Sequence, residues 1–460
     1  MKIINRCNKI TAGIIVCLCT LFTVYFMFSI YFMNHLYFGS KINGTDVSGK
    51  TVEEIKAQMT SELNTYSLNI KERGGKKEQI NAGDINLKYK SDEQFKSIKD
   101  EQNPLKWPSM FFSKKHSNMI AEISYDKGLL TKQVDNLSGL ADSNIIEPKE
   151  PSFKYVDNAF MIVDEIKGNR IDKNILLKRV VDAISKQEST IDLESPNCYI
   201  TPKYTSKSQK VIKAKDMLNK YVSSKVTYDF GDSKEILNGS IINKWLKVDD
   251  NFNVILDGGK VKEYVESLAN TYNTAGKARS FHTSSGNTIN ISGGDYGWQI
   301  NIDKEVKDLS EAIKEGQTVT KKPAYSKTAL SQGSSDIGNT YVEIDMTKQH
   351  LWFYKNGSLV VEGDVVTGNV SLNDATPVGI YRLKYKEKNA TLKGEGYSSP
   401  VSYWMPFNGG IGIHDANWRS VFGGDIYKTN GSHGCINSPY NLAQTIFDNI
   451  NAGTPVVCYY

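Results

Sequence analysis

The pattern of apolar and polar positions divides this 460-residue chain into segments of different character. Ile10 to Met33 is an uncharged run of 24 residues, and a helix needs about 20 to cross a bilayer. Beyond it, short alternating stretches that predict strands are interleaved with amphipathic helical patterns such as Ile175 to Ile184 and Val306 to Ile313. This mixed region repeats. Tyr66-Ser-Leu-Asn-Ile followed by Gln79-Ile-Asn-Ala-Gly83 is echoed by Val226-Thr-Tyr-Asp-Phe followed by Glu235-Ile-Leu-Asn-Gly239. Tyr125-Asp126-Lys-Gly128 matches Leu256-Asp257-Gly-Gly259, and Gly168-Asn-Arg-Ile171-Asp172 matches Gly297-Trp-Gln-Ile300-Asn301. The spacing is too long and the copies too few for a solenoid, so two related α+β modules are predicted, over 40–195 and 206–320.

Residues 321–338 are polar, with one proline and no apolar period, and predict an interdomain linker. From 339 to 460 strands dominate. Tyr341 to Met346, His350 to Tyr354, Leu359 to Val361, Asp364 to Thr367 and Gly379 to Tyr385 are separated by turn signals, among them Asn356-Gly357. Ser438 and Pro439 are expected as N-cap and first residue of one helix, with Tyr440, Ala443, Ile446, Phe447 and Ile450 as its buried stripe and Gly453 at its close. Pro455 to Tyr460 is a last strand. The fold class is therefore multidomain α+β: two related α+β modules, then a mainly-β domain of sandwich or barrel type, behind one N-terminal transmembrane helix.

Charge orients this scheme. Lys2, Arg6 and Lys9 precede the apolar run, so the positive-inside rule places residues 1–9 in the cytoplasm, 10–33 in the membrane and the rest outside. Tyr25, Tyr31, Phe32 and Tyr37 supply interfacial aromatics. The run ends in Asn34-His35-Leu36-Tyr37, without a small-x-small cleavage site, which favours an uncleaved anchor over a signal peptide. The net charge of +5 is dispersed, which excludes a concentrated nucleic-acid-binding face and is compatible with work beside an anionic surface. Of six cysteines, Cys7, Cys17 and Cys19 lie in or beside the apolar run. Cys198, Cys435 and Cys458 are too few for a disulfide framework, and Cys458, on the last strand, is expected as a packed core thiol.

The candidate chemistry sits in Ser432-His433-Gly434-Cys435-Ile436-Asn437, together with Gly412-Ile413-His414-Asp415 upstream. A free thiol with a pKa of about 8.5 is only slightly ionised at neutral pH, so a neighbouring imidazole must take its proton before it attacks a carbonyl rapidly. A glycine ahead of the cysteine lets backbone N–H groups approach a developing oxyanion. The helix after Cys435 adds a modest stabilisation of a thiolate. Zinc ligation by Cys435, His433 and His414 has poor spacing and no CxxC partner. A cysteine-phosphatase loop would need an arginine several residues after the cysteine, and a buried structural thiol fits badly with the flanking Gly434, Ser432 and Asn437. His35, His116, His282 and His350 stand alone and predict interfacial, surface or structural positions. Neither module carries a nucleophile–base pair or metal spacing, so binding or spacing is their expected role.

These residues resemble the signature of the L,D-transpeptidase (YkuD-like) catalytic domain, a histidine, a spacer and then Ser/Thr-His-Gly-Cys-hydrophobic-Asn. Thr376-Pro377-Val378-Gly379-Ile380-Tyr381 and Gly409-Gly410-Ile411-Gly412-Ile413-His414 resemble two further segments of that family, over about 120 residues in all. The two upstream units are similar to the peptidoglycan-binding modules that often precede this domain in membrane-anchored members. The resemblance implies Cys435 as the acylated nucleophile and His414 as general base and later acid. It makes the backbone carbonyl of Asp415 the third element, with its carboxylate free to orient or charge the ring. His433 is the supporting histidine, and the N–H groups of Gly434 and Cys435 are the oxyanion donors. Ser432, Asn437, Tyr403 and Trp404 are expected at the substrate, and the spacer holding Trp418 and Phe422 is expected as a flap. The implied reaction cross-links peptidoglycan stem peptides through a Cys435 thioester, needs no cofactor or metal, and is inhibited by carbapenems. The alternatives are an L,D-carboxypeptidase, a cysteine endopeptidase or amidase, and an inactive wall-binding scaffold.

Overall fold

The computed structural model describes residues 2–112, 120–333, 335–394 and 397–460; His116 lies outside them. The chain forms two compact units, one of Met1–Ser152 with Asp164–Ser206 and one of Phe153–Val163 with Lys207–Tyr460.

In the first unit the apolar run is helical over Lys2–Asn34, and Lys9–Asn34 is long and apolar enough to cross a membrane by length and composition. The next helix, Val52–Asn64, starts at a reciprocal capping box between Thr51 and Glu54, which satisfies two otherwise orphaned N–H groups. Its inward residues Ile55, Met59 and Leu63 are buried. Strand Ser67–Lys71 pairs antiparallel with Lys77–Asn81 and parallel with Thr190–Asp192. Helix Lys173–Ser185 buries Leu176, Val180, Ala183 and Ile184 in the same core as Leu68 and Ile70. Burial, with Glu78 beside it, pushes the Glu72 carboxyl up to about 7. A raised folded-state pKa means that this group's stabilisation is complete below its unfolded pKa and is lost as pH rises through about 7. Glu72→Gln is expected to raise the melting temperature of the chain at pH 8 and to leave it nearly unchanged at pH 5, as read by thermal unfolding at both.

The second unit repeats the small sheet: Lys225–Asp229 pairs antiparallel with Lys234–Leu237 and parallel with Thr318–Lys321. The hairpin of Ser152–Val156 and Ala159–Val163 packs here, with Phe160 in the core beside Val226 and Tyr228. Its Phe160 N–H donates to Asn219 Oδ1 at 2.6 Å. Described residues of the stretch 321–338, expected as an interdomain linker, pair with the second module. Tyr325–Lys327 pairs with Gln299–Ile300, and the buried Asp336 forms an ion pair with Arg279 at 2.9 Å. Its polar side chains find partners far away in sequence, which local periodicity does not register.

The C-terminal domain is a two-sheet sandwich and not a closed barrel. Its strands are β1 (Tyr341–Asp345), β2 (His350–Lys355), β3 (Ser358–Asp364), β4 (Gly379–Arg382), β5 (Glu387–Gly394), β6 (Tyr397–Asn408), β7 (Ile411–Asp415), β8 (Ile436–Ser438) and β9 (Pro455–Tyr459). One sheet has the order β3-β2-β1-β9-β4 and the other β5-β6-β7-β8. Asn356 and Gly357 take φ of 51° and 82°, the signs a type I′ hairpin turn requires. Val342, Ile344, Leu351 and Phe353 from one sheet meet Met405, Phe407, Ile413 and Ile436 from the other in one core. The helix begins at Tyr440, with Pro439 as N-cap, while Ser438 belongs to β8. Leu442 fills the buried stripe in place of Tyr440, which is exposed. The starting point shifts because Ser438 keeps strand pairing with Asp415. Cys458 is fully buried on β9, and Cys198 and Cys458 are both free thiols.

The second module is latched to this domain. Ser284 donates from N–H and Oγ to the two carboxylate oxygens of Glu343 at 2.8 and 2.6 Å, and Tyr459 donates to Oε1 at 2.6 Å. A buried carboxylate held this way keeps its hydrogen-bonding capacity satisfied.

Candidate active site

Parallel pairing of β7 with β8 sets the site. The register places Ile413 beside Ile436 and His414 beside Asn437. Cys435, immediately before β8, thereby comes to the side of the sheet on which His414 lies, although twenty residues separate them in sequence. Both line a cavity of about 190 Å³, with Ser432, His433, Asn437, Trp418 and Arg419.

His414 is buried at 3 % exposure. Its Nδ1 lies 2.9 Å from the backbone oxygen of Asp415. A carbonyl oxygen only accepts, so Nδ1 carries the hydrogen and the neutral ring keeps its lone pair on Nε2. Burial holds the imidazole below its ordinary pKa, against the opposing pull of the Asp415 carbonyl and carboxylate. The Asp415 carboxylate has other work. Its Oδ1 accepts from the N–H groups of Ser402 and Tyr403 at 2.8 Å each, and its Oδ2 accepts from Asn417 at 3.1 Å.

Cys435 is 9 % exposed, and burial pushes its thiol up to about 11, with a Gly412 backbone hydrogen bond pulling the other way. Its Sγ points a hydrogen at the Gly410 carbonyl, 3.5 Å away. The resting pair is therefore a neutral thiol and a neutral imidazole. Desolvation penalises both charged forms.

The loop that presents Cys435 is braced from inside. Gly434 adopts φ of 104°, a left-handed conformation that favours glycine. Its N–H donates to Ser432 Oγ at 3.1 Å, so it is already engaged and does not stand as a spare oxyanion donor. Ser432 Oγ in turn donates to the Cys435 carbonyl. The buried Thr376 hydroxyl donates to the Gly434 carbonyl at 2.7 Å and accepts from the Gly368 N–H at 3.0 Å. The Thr-Pro segment thus acts as a brace for the cysteine loop, a function that its sequence pattern did not disclose. Thr376→Val would strand a buried carbonyl and a buried N–H, and is expected to cost about 2–4 kcal/mol. Thermal unfolding reads that loss directly.

Among the other expected residues, His433 is exposed and lines the cavity. Asn437 is buried, exchanges backbone hydrogen bonds with Val366, and leaves Oδ1 without a partner among the described residues. Tyr403 and Trp404 do not line the cavity. Successive strand residues face opposite ways, so Tyr403 packs on Phe447 and Tyr440 in the core. Trp404 packs with Cys435, Ala390 and Val401 as a wall behind the thiol. Within the spacer, Trp418 is exposed over the cavity with its ring 5.9 Å from that of His414, while Phe422 is half-buried and does not line it. Arg419 went unnoticed in the sequence, where its place beside Trp418 in the spacer was the available signal. Among the described residues it is the only lysine or arginine lining this cavity, and its Nε is buried without a partner. His35, His282 and His350 lie elsewhere; His350 pairs with Asp364. Among the described residues no three His, Cys, Asp or Glu side chains gather where they could hold a metal ion.

Residues 339–458 match the YkuD family model, described as "L,D-transpeptidase catalytic domain". Residues 78–192 and 204–321 each match the model described as "Putative peptidoglycan binding domain". A Bacillus subtilis (strain 168) protein, "Putative L,D-transpeptidase YciB", is 27 % identical over 169 residues, which cover 34 % of this chain and 84 % of that protein. A crystal structure of a cysteine-to-serine mutant of the Enterococcus faecium L,D-transpeptidase is 36 % identical, covering 53 % of this chain and 98 % of that one, with a TM-score of 0.46. The NMR structure of the catalytic domain of the E. faecium L,D-transpeptidase acylated by ertapenem is 44 % identical over 26 % of this chain and 98 % of that one, with a TM-score of 0.25. With family models matched across both modules and the C-terminal domain, the chain belongs to the L,D-transpeptidase (YkuD) family, as a catalytic domain preceded by two peptidoglycan-binding domains.

Proposed function

We propose that the chain is a membrane-anchored, cysteine-dependent transpeptidase that cross-links peptidoglycan stem peptides outside the cytoplasmic membrane. The observation that carries this reading is the buried His414 ring, held by the Asp415 carbonyl as the tautomer with its lone pair on Nε2, in one cavity with the Cys435 thiol. As substrate enters, the thiol leaves the Gly410 carbonyl and gives its proton to Nε2. Sγ attacks the amide carbonyl between the L-centre of the stem's diamino acid and the terminal D-residue. The C–N bond breaks, the imidazolium protonates the departing amine, and a thioester remains. A side-chain amine of a second stem then attacks it, His414 takes the amine's proton, and the thiolate leaves and is reprotonated.

The tetrahedral oxyanion is held by the Cys435 N–H, since the Gly434 N–H is committed to Ser432. Arg419 pairs with the terminal carboxylate of the donor stem, a role suited to a guanidinium with an unused buried Nε–H. His433 and Trp418 border the substrate. The same thiol is acylated by carbapenems. The apolar run of Ile10 to Met33, preceded by Lys2, Arg6 and Lys9, anchors the chain with residues 1–9 in the cytoplasm.

The test is incubation of the full chain in detergent with tetrapeptide-stem muropeptides, followed by mass analysis. Dimers together with a released D-amino acid are the expected products, and a donor amidated at its terminal carboxylate should react more slowly. Released D-amino acid without dimers would show that water is the acceptor and the activity is L,D-carboxypeptidation. Absence of both products would remove the reading.

A further inference from the structure

The second module contains a cleft of about 350 Å³ that the proposed chemistry does not use. Its size falls within the range of small-ligand sites. Two aromatic pairs form its walls. Phe230 and Tyr272 stack with ring centres 3.7 Å apart, and Trp298 and Tyr325 meet at 4.7 Å. The polar ends of these rings are tied back into the fold. Trp298 Nε1–H donates to the Ser331 carbonyl at 2.8 Å, and the Tyr272 hydroxyl donates to Glu235 at 2.7 Å. Trp298 and Tyr272 are therefore oriented before any ligand arrives, and with Tyr325 they line the cleft. Asp232 sits exposed on the rim and has no ion pair among the described residues.

The first module is an internal control. There Ile171 bridges Tyr199 as Ile300 pairs with Tyr325 here, so the scaffold is shared. The position matching Trp298 is Asn169, and the ring matching Tyr325 is Tyr199, buried and covered by the Arg73 guanidinium at 4.1 Å. Among the described residues the first copy thus keeps this ring buried under a guanidinium, where the second copy has its ring lining a cleft.

We propose that this cleft binds the glycan strand of peptidoglycan, a chain of N-acetylated amino sugars. Resting on the reading above, it would hold the glycan on the module joined to the catalytic domain. The C–H faces of a pyranose present positive edges to the negative faces of aromatic rings, and a carboxylate on the rim accepts from sugar hydroxyls and amide N–H groups. The carboxylates of a stem peptide find no lysine or arginine among the residues lining the cleft, whose charged side chains are Asp232 and the Arg279-paired Asp336.

The test uses the full chain in detergent with chitotetraose, a neutral β-linked N-acetylglucosamine tetramer, and with a free stem tetrapeptide as the competing probe, by calorimetry and tryptophan fluorescence. Wild type is expected to bind chitotetraose and not the tetrapeptide. Trp298→Ala should weaken binding about tenfold or more. Asp232→Ala should weaken it measurably, and being a surface change it serves if Trp298→Ala melts early. Trp298→Phe should retain binding within about threefold while losing most of the fluorescence change. Cys435→Ala should bind as wild type does, so a chain that binds glycan without cross-linking stems would defeat only the catalytic reading. No chitotetraose binding by wild type, preference for the tetrapeptide, or unchanged affinity in both Asp232→Ala and a folded Trp298→Ala would overturn the glycan site.

Discussion

Cys435→Ala is expected to abolish both thioester formation and cross-linking, with a rate loss of at least about 10⁴-fold. The size follows from covalent catalysis, because without the sulfur no acyl group can be held between the donor and acceptor steps. Intact-mass measurement after incubation with a carbapenem is the sharpest readout. The wild-type chain should gain one adduct mass and the alanine variant none. The variant should fold, because Cys435 packs against Trp404, Ala390 and Val401 and loses only one small atom from that contact. An adduct on the alanine variant would assign the nucleophile elsewhere, and of the remaining described thiols Cys198 and Cys458 are buried.

The second large effect is expected at His414, in both the size and the shape of the pH profile. His414→Gln should slow acylation by about 10³-fold, in the range set by loss of a positioned general base. For wild type the rate should rise as the imidazole loses its proton. Burial puts that step below the ordinary histidine range, so the rate should be level from near-neutral pH into the mildly alkaline range. The thiol ionises by itself only near 11. Without the imidazole, the reaction depends on the small thiolate fraction, which grows about tenfold per pH unit below the thiol's pKa. The residual rate of His414→Gln should therefore climb steadily over about three pH units above neutrality, where wild type is flat. A flat profile for the variant, or a wild-type profile that climbs in the same way, would remove His414 as the base. The neutral resting pair explains why the two groups need no hydrogen bond before substrate arrives, with the thiol parked on Gly410.

What the sequence by itself determined was whatever is written in local order. The uncharged run of Ile10 to Met33 could only be a long helix. The Asn356-Gly357 turn needed two positive φ values, which these residue types accept at little cost. The duplication was visible because its glycines and aspartates mark turns and helix caps at matching places, as with Asp126 and Asp257, each of which caps its helix. Cys435 and His414 stood out because a thiol beside glycine and a histidine on an apolar strand are chemically unusual. Tertiary structure decided the rest, because partners distant in sequence leave no local trace. It gave the Gly434 N–H to Ser432 and made Thr376 the brace of the loop. It engaged Asp415's carboxylate with backbone N–H groups of β6, and it set Tyr403 in the core. It tied Asp336 of the expected linker to Arg279. It also left Tyr325 lining a cleft in one module while Arg73 covered the equivalent Tyr199 in the other, a difference decided by which side chains meet across the fold.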